Sequence, residues 1–179
     1  MPKPDLLRLF ALHSSTIFSP RTLYYSAGTF CASLLFWDNV LMWQGAGGPS
    51  MYPTFEMRGD VLLISKLHKH GRGIGVGDVV RFYHPSFVGV HACKRVIGMP
   101  GDFVCRDEAL DDGVGGNGEM IRVPEGHVFV AGDNLPWSRD SRTFGPLPMG
   151  LINGKVIGRI WPLSRFKWVD NTLKPAETA

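Results

Sequence analysis

The residues that usually build metal, cofactor and nucleic-acid sites are scarce in this chain of 179 residues. Its three cysteines lack metal-ligand spacing; Cys93 and Cys105 could pair in an oxidising compartment, but free thiols are the expectation. The chain contains no CxxC or HExxH motif, and neither a metal nor a cofactor is expected. The net charge is only +3, and no basic run is interleaved with aromatic residues, which argues against a nucleic-acid partner. Any chemistry is therefore expected from ordinary side chains.

Long apolar runs are also few. Residues 22–37 form sixteen residues without a charge, and the apolar run resumes after Asp38 and Asn39 as far as residue 43. A membrane-spanning helix needs about 20 predominantly apolar residues. The sequence therefore predicts a marginal transmembrane helix over 22–43, with a buried amphipathic helix or a secretory signal peptide as the alternatives.

The N-terminal segment, residues 1–21, is basic, with Lys3, Arg8 and Arg21 against Asp5. It suits either a short targeting helix or the positive flank of a membrane segment. The residues alone do not separate these two interpretations.

The remainder of the chain is predicted to be mainly β. Short apolar runs at 61–64, 79–82, 88–97 and 127–131 are separated by Gly, Pro and Asp clusters at hairpin spacing. They indicate one compact antiparallel sheet or barrel over residues 45–170. The acidic, glycine-rich residues 107–118 are expected to form an exposed loop, and residues 171–179 a flexible tail.

Ser50 lies in an irregular stretch, GGPSMYPT at residues 47–54. Glycine permits unusual backbone dihedrals, and each proline removes a donor and restricts φ. Such a backbone can hold a hydroxyl outside a regular hydrogen-bond ladder. Taken alone, however, a serine beside proline is typical of an ordinary turn.

Two later stretches change that interpretation. Residues 93–102 read CKRVIGMPGD, and residues 132–142 read GDNLPWSRDSR. Together with SMYPT at residues 50–54, they resemble the three conserved boxes of the type I signal peptidases, the Ser-Lys membrane proteases that remove targeting peptides. The similarity is greatest to the members of the mitochondrial inner membrane and covers about residues 47–163.

The resemblance implies that Ser50 is the nucleophile and Lys94 its general base. A lysine with its ordinary pKa of about 10.4 is neutral in only about one copy in 2,500 at pH 7, so this role requires a pKa lowered by about 3 through burial. The alternative is a strand lysine that reaches solvent. None of the six histidines lies in a motif resembling a catalytic triad.

The resemblance also implies supporting roles for five residues. Ser138 is expected to hydrogen-bond the lysine amine, Asp140 and Arg142 to form a buttressing salt bridge, and Asp133 and Asn134 to form a turn beneath the site. Two positions depart from the family pattern. Trp137 stands where Asn is usual, and Gly48 stands where bacterial members carry a hydroxyl that serves as a second oxyanion donor.

The function implied is that of a membrane-anchored endopeptidase. It would remove sorting peptides from precursor proteins at the mitochondrial inner membrane, with its catalytic domain facing the intermembrane space. The resemblance also implies a related second protease subunit as a partner. Shallow pockets formed by residues flanking Ser50 and by residues 82–87 would select the substrate.

Other functions remain open at this stage. A bacterial or plastid signal peptidase would share the chemistry, whereas a repressor-type Ser-Lys protease would require a DNA-binding helix-turn-helix, for which residues 1–43 offer no pattern. A catalytically silent scaffold subunit is a further alternative. The joint presence of Ser50, Lys94 and Ser138 argues against it.

Overall fold

The computed structural model describes residues 19–106, 119–169, 171 and 173. The chain divides into two units, Met1–Asn39 and Val40–Ala179. The exposed loop predicted over 107–118 lies outside the described residues. Most of the basic N-terminal segment, residues 1–21, and most of the flexible tail, residues 171–179, also lie outside them. Asn171 in that tail is held in place, since its side-chain amide donates to the Val76 carbonyl at 2.6 Å.

In the first unit, residues 20–39 form one helix, α1 (Pro20–Asn39). Ser19 caps its start, because the hydroxyl accepts from the Thr22 N–H at 3.2 Å, and Pro20 follows at the first helical position, where it needs no intrahelical acceptor. Among the described residues, no helix is both long and apolar enough to cross a membrane. The helix predicted over 22–43 begins two residues earlier, at Pro20, and ends at Asn39, short of the predicted end at residue 43.

The strands of the second unit are β1 (Leu41–Gly47), β2 (Arg58–Ser65), β3 (Val79–Tyr83), β4 (His91–Gly98), β5 (Phe103–Arg106), β6 (Glu119–Arg122), β7 (His127–Ala131), β8 (Leu147–Pro148), β9 (Ile152–Trp161) and β10 (Lys167–Trp168). Eight of them form one antiparallel sheet, in the order β1-β2-β9-β3-β4-β7-β8 with β10 paired to β9. A separate two-stranded sheet pairs β5 with β6. The mainly β antiparallel architecture predicted from the sequence is confirmed.

Strand β1 takes up residues that were expected in the helix. Residues 41–45 pair with residues 65–61 of β2, so the apolar run after Asn39 belongs to the sheet. Side chains alternate along a strand; accordingly Met42 and Ala46 pack against buried core residues, whereas Trp43 is exposed. The β unit therefore begins at Val40, before the predicted boundary at residue 45.

The core of the β unit consists of apolar clusters on the strands. One cluster centres on Phe82 and Val130, a second on Phe55 and Leu62, and a third on Phe129 under the β5–β6 hairpin. Short 3₁₀ turns and one four-residue helix, α2 (Ser141–Phe144), connect the strands. All three cysteines are free thiols.

Candidate active site

Ser50 lies in a 3₁₀ turn, Pro49–Met51, that directly follows β1. Gly48 precedes the turn with φ of +100°, a conformation that L side chains rarely adopt, which explains glycine at this position. Asn134 clamps the turn from another part of the chain: its N–H donates to the Ser50 carbonyl at 3.0 Å, and its side-chain amide donates to the Pro49 carbonyl at 3.0 Å. The backbone is thus held through the carbonyl groups of the two peptide units that flank the Ser50 Cα.

Lys94 occupies the interior of β4, opposite Val80 of β3. Its side chain is buried, with only 3 % of its surface exposed. Burial lowers the pKa of Lys94 from 10.5 to about 8, although the nearby Asp140 carboxylate opposes the shift. About one amine in ten is therefore neutral at pH 7, which supplies the base form that the reaction requires.

Gly132 is the point at which the Ser50 turn and the Ser138 loop meet. It follows β7, whose last residue, Ala131, pairs with Arg95 beside Lys94. A Cβ at Gly132 would lie 2.2 Å from Ser138 Oγ and 2.5 Å from the Ser50 carbonyl oxygen. Any larger residue would push these segments apart, so glycine is required here by close approach.

Asp133 ties the same region to β4 and to the residues that follow Ser50. Its carboxylate accepts two hydrogen bonds from Arg95, each of 2.8 Å, and a third from the Thr54 hydroxyl. Burial alone would raise the pKa of Asp133, but the bonds from Arg95 and Thr54 lower it below its ordinary value. Asp133 is therefore ionised and links three segments of the chain by hydrogen bonds, in addition to its predicted place in a turn.

Asp140 is fully buried and forms the predicted ion pair with Arg142, at 2.9 Å. It also accepts hydrogen bonds from the Ser138 hydroxyl at 2.6 Å and from the Gly132 N–H at 2.9 Å. Burial would raise the pKa of Asp140, but the bonds from Arg142, Ser138 and Gly132 lower it. The Asp140 carboxylate thus fixes the loop that carries Ser138.

Two expected contacts of the lysine differ in this structure. The Ser138 hydroxyl donates to Asp140 rather than bonding to Lys94, because an ionised carboxylate is the stronger acceptor. Among the described residues, no hydrogen bond joins Ser50 Oγ to Lys94 Nζ. Catalytic hydrogen bonds are often long in the absence of substrate and shorten when it binds.

A cleft of about 150 Å³ lies beside Ser50. Its walls come from β1, from the segment around Ser50 and from the start of β4, including Cys93 next to Lys94. Residues 82–87, expected as pocket walls, are not among its lining residues. Arg81 and His91 line it instead, and burial lowers the pKa of His91.

Sequence reasoning missed the residues that hold the site together: the clamp by Asn134, the Arg95–Asp133 pair and the Thr54 contact. One signal was present. An arginine directly after a lysine inside an apolar strand is unusual unless a carboxylate neutralises it. Its partner was not visible, because Asp133 is 38 residues away in sequence.

Comparisons with known proteins bear on this site. The chain matches the family described as signal peptidase, peptidase S26, over residues 21–122 and 112–161. Mitochondrial inner membrane protease subunit 1 of Schizosaccharomyces pombe is 46 % identical over 131 residues, which cover 73 % of this chain and 78 % of that protein. The protein of the same name from Saccharomyces cerevisiae is 36 % identical over 171 residues, covering 85 % and 90 %, and that from Homo sapiens is 39 % identical over 145 residues, covering 81 % and 82 %.

Among solved structures, signal peptidase I of Enterococcus faecalis matches with 26 % identity and a TM-score of 0.37, covering 48 % of this chain and 97 % of that one. The assignment rests on the family match and on the sequence relatives, which extend over most of the chain. The segments that converge on Gly132 lie within the matched region. The chain therefore belongs to the peptidase S26 signal peptidase family.

Proposed function

We propose that this chain is a serine endopeptidase in which Ser50 is the nucleophile and Lys94 the general base. The observation that carries the proposal is the buried Lys94 amine, with its pKa lowered to about 8, on the strand that forms one wall of the Ser50 cleft. A serine hydroxyl is a weak nucleophile until a neighbouring base removes its proton. Lys94 is the group here whose burial prepares it for that task.

In the proposed reaction, Ser50 Oγ attacks the scissile carbonyl while its proton passes to the neutral Lys94 amine. The resulting ammonium donates that proton to the departing amine as the C–N bond breaks, which leaves an acyl-enzyme on Ser50. Water then attacks the ester carbonyl and gives one proton to Lys94. As the bond from the acyl carbon to Ser50 Oγ breaks, Lys94 returns that proton to Oγ, and the acyl group leaves as a carboxylic acid. The reaction requires the Ser50 hydroxyl and the Lys94 amine to come within hydrogen-bond distance when substrate occupies the cleft.

The developing oxyanion needs preorganised donors. The Ser50 main-chain N–H suits this role, because N–H groups in the first turn of a helix have no intrahelical acceptor. Gly48 has no side chain and cannot supply the hydroxyl that serves bacterial members as a second oxyanion donor. Its φ of +100° also disfavours any residue that would carry such a hydroxyl. A second donor is not required by the proposal.

Cleavage of a sorting-peptide precursor by the purified chain tests this assignment. Ser50→Ala is expected to lower kcat/KM by at least about 10³-fold with unchanged folding, since the acyl-enzyme of the proposed reaction forms on the Ser50 hydroxyl. His91→Phe is the matched control, because His91 also lines the cleft and is the competing base. If Ser50→Ala still cleaves the precursor, Ser50 is not the nucleophile. If His91→Phe is inactive while Lys94→Met remains active, His91 and not Lys94 is the general base.

We also propose that the chain acts at the mitochondrial inner membrane, with the β unit facing the intermembrane space and a related second subunit as its partner. Support comes from the relatives, which are named as subunits 1 and 2 of mitochondrial inner membrane proteases. Protease added to mitochondria should digest the β unit only after the outer membrane is ruptured, and the tagged chain should co-purify with a second subunit. Resistance to protease in ruptured mitochondria, or recovery of the chain alone, would contradict the respective part of the proposal.

A further inference from the structure

Arg81 of β3 is a buried cation that lacks an acidic partner in the part of the chain that the structure describes. Only 4 % of its surface is exposed. Its Nε donates to the side-chain carbonyl of Gln44. Among the described residues, no carboxylate lies within ion-pair distance of the guanidinium, and its two terminal nitrogens have no hydrogen-bond acceptor.

Other largely buried arginines of the same sheet and its loops are paired. Arg95 forms a two-bond contact with Asp133 at 2.8 Å, Arg142 pairs with Asp140 at 2.9 Å, and Arg159 pairs with Asp60 at 3.1 Å. Buried charges are ordinarily neutralised in this way, because an unpaired charge loses its hydration without compensation. Arg81 departs from the pattern that this fold otherwise follows.

The unpaired guanidinium lines the cleft that contains Ser50. A second unsatisfied polar group lines the same cleft, because His91 Nδ1 is buried without a hydrogen-bond partner. The cleft has one acidic residue in its wall, Glu56, and that carboxylate already accepts from Arg165 at 3.1 Å. A cation and a histidine with an unsatisfied ring nitrogen thus line a cleft of about 150 Å³, which is about the size of one side chain.

We propose that Arg81 is a specificity-determining residue that binds a carboxylate side chain of the substrate, an aspartate or glutamate among the four residues before the scissile bond. This inference rests on the proposed function, since it places the peptide in the cleft beside Ser50. Gln44 holds Nε and leaves the two terminal nitrogens of the guanidinium as donors, and such a planar pair matches the geometry of a carboxylate. The substrate carboxylate thus supplies the acidic partner that the Arg81 guanidinium lacks among the described residues.

Binding and cleavage of one peptide series test the inference separately. Each of the four residues before the scissile bond of a sorting-peptide substrate is changed in turn to Glu, Gln or Leu, and binding to the full chain carrying Ser50→Ala is measured by fluorescence anisotropy. At one of these positions Glu should bind about tenfold more tightly than its neutral isostere Gln, a difference equivalent to about 1.4 kcal/mol. The Glu to Gln comparison requires no change in Arg81, so it remains decisive even if the Arg81 variants fold poorly.

The preference should depend on Arg81 itself. Arg81→Gln should reduce the Glu to Gln affinity ratio to about one, and Arg81→Lys should retain part of it because the positive charge stays. Arg122→Gln, which removes an exposed arginine on β6, is the matched control and should leave the ratio unchanged. A parent chain without a Glu preference at any of the four positions, or an Arg81→Gln variant that keeps the preference, would overturn the inference.

The same peptides distinguish failure of this inference from failure of the proposed function. Equal cleavage of the Glu and Gln peptides by the parent would reject the role of Arg81 and leave the peptidase assignment intact. An acidic preference in binding, without cleavage by the parent, would reject the peptidase assignment and leave the carboxylate site intact. If no peptide binds, the inference about Arg81 is also wrong.

Discussion

Replacing Lys94 with methionine is expected to lower cleavage by at least about 10³-fold and, at neutral pH, to make the fold more stable. The loss follows because Ser50 is left without a base. The gain follows because methionine fills the buried space of a group whose charge is disfavoured there, with 3 % of its surface exposed. A residue needed only for stability would change both properties in the same direction.

The sign and size of the stability change follow from the pKa of Lys94, 10.5 in the unfolded chain and about 8 in the fold. Below pH 8 both states are protonated, and the folded state carries the full penalty of a buried ammonium, about 3 kcal/mol at 1.36 kcal/mol per pK unit. Between pH 8 and pH 10.5 the folded state has released a proton that the unfolded state still holds, so the penalty shrinks and then disappears. The advantage of Lys94→Met should therefore be greatest below pH 8 and lost above pH 10.5.

Urea unfolding followed by tryptophan fluorescence at pH 7 and pH 10.5 measures this change in the free energy of unfolding. Lys167→Met, which removes an exposed lysine on β10, is the control and should change neither stability nor its pH dependence. The parent enzyme should show kcat/KM rising about tenfold per pH unit up to about pH 8 and then levelling, as the neutral amine accumulates. A destabilised Lys94→Met, or a rate that is already level at pH 6, would reject Lys94 as a buried base.

Asp140→Asn is expected to destabilise the chain by about 3–5 kcal/mol, because it breaks a buried ion pair and leaves one partner unpaired. The carboxylate accepts bonds from the Ser138 hydroxyl, from the Gly132 N–H and from Arg142. An amide replaces one accepting oxygen by an NH₂ group that faces these donors. Cleavage should fall as well, since Gly132 and Ser138 contact each other beside the Ser50 turn.

The free energy of unfolding at pH 7 checks this expectation, with Glu125→Gln, a change at an exposed carboxylate, as the control. The pH dependence supplies a second readout. The pKa of Asp140 is lowered in the fold, so its contribution is present above its unfolded pKa of 3.8 and is lost as pH falls through the folded pKa. The difference between parent and Asp140→Asn should thus narrow on acidification; a change of less than about 1 kcal/mol at pH 7 would show that the network is not a support of the site.

Sequence reasoning predicted more about residue identity than about residue environment. The run at 79–82 lies in β3 and that at 127–131 forms β7, since alternation and turn residues are local signals. The apolar residues at 41–43 were assigned to the helix because an apolar run has the same composition in either setting. Their pairing with residues 63–65 of β2 depends on residues about 20 positions further along the chain.

The hydrogen-bond partner of the Ser138 hydroxyl also could not be predicted from the sequence. A family pattern places this serine near Lys94, but the distance between hydroxyl and carboxylate depends on the loop conformation that Asp140 adopts at the start of α2. Asn134 is a similar case, because a Gly-Asp-Asn stretch predicts a turn and gives no sign that its amide reaches a carbonyl 85 residues earlier.

The sequence by itself determined the family of this protein, its mainly β architecture, and the choice of Ser50 and Lys94 as candidate nucleophile and base. These conclusions depend on residue type and on spacing within short segments, which the linear order records. Only the tertiary structure decided that Lys94 is buried enough for its pKa to fall to about 8, that Asp140 holds the Ser138 loop, and that Arg81 lines the cleft with no acidic partner among the described residues. Desolvation and ion pairing arise between segments far apart in the chain, and they exist only once strand register and packing have brought those segments together.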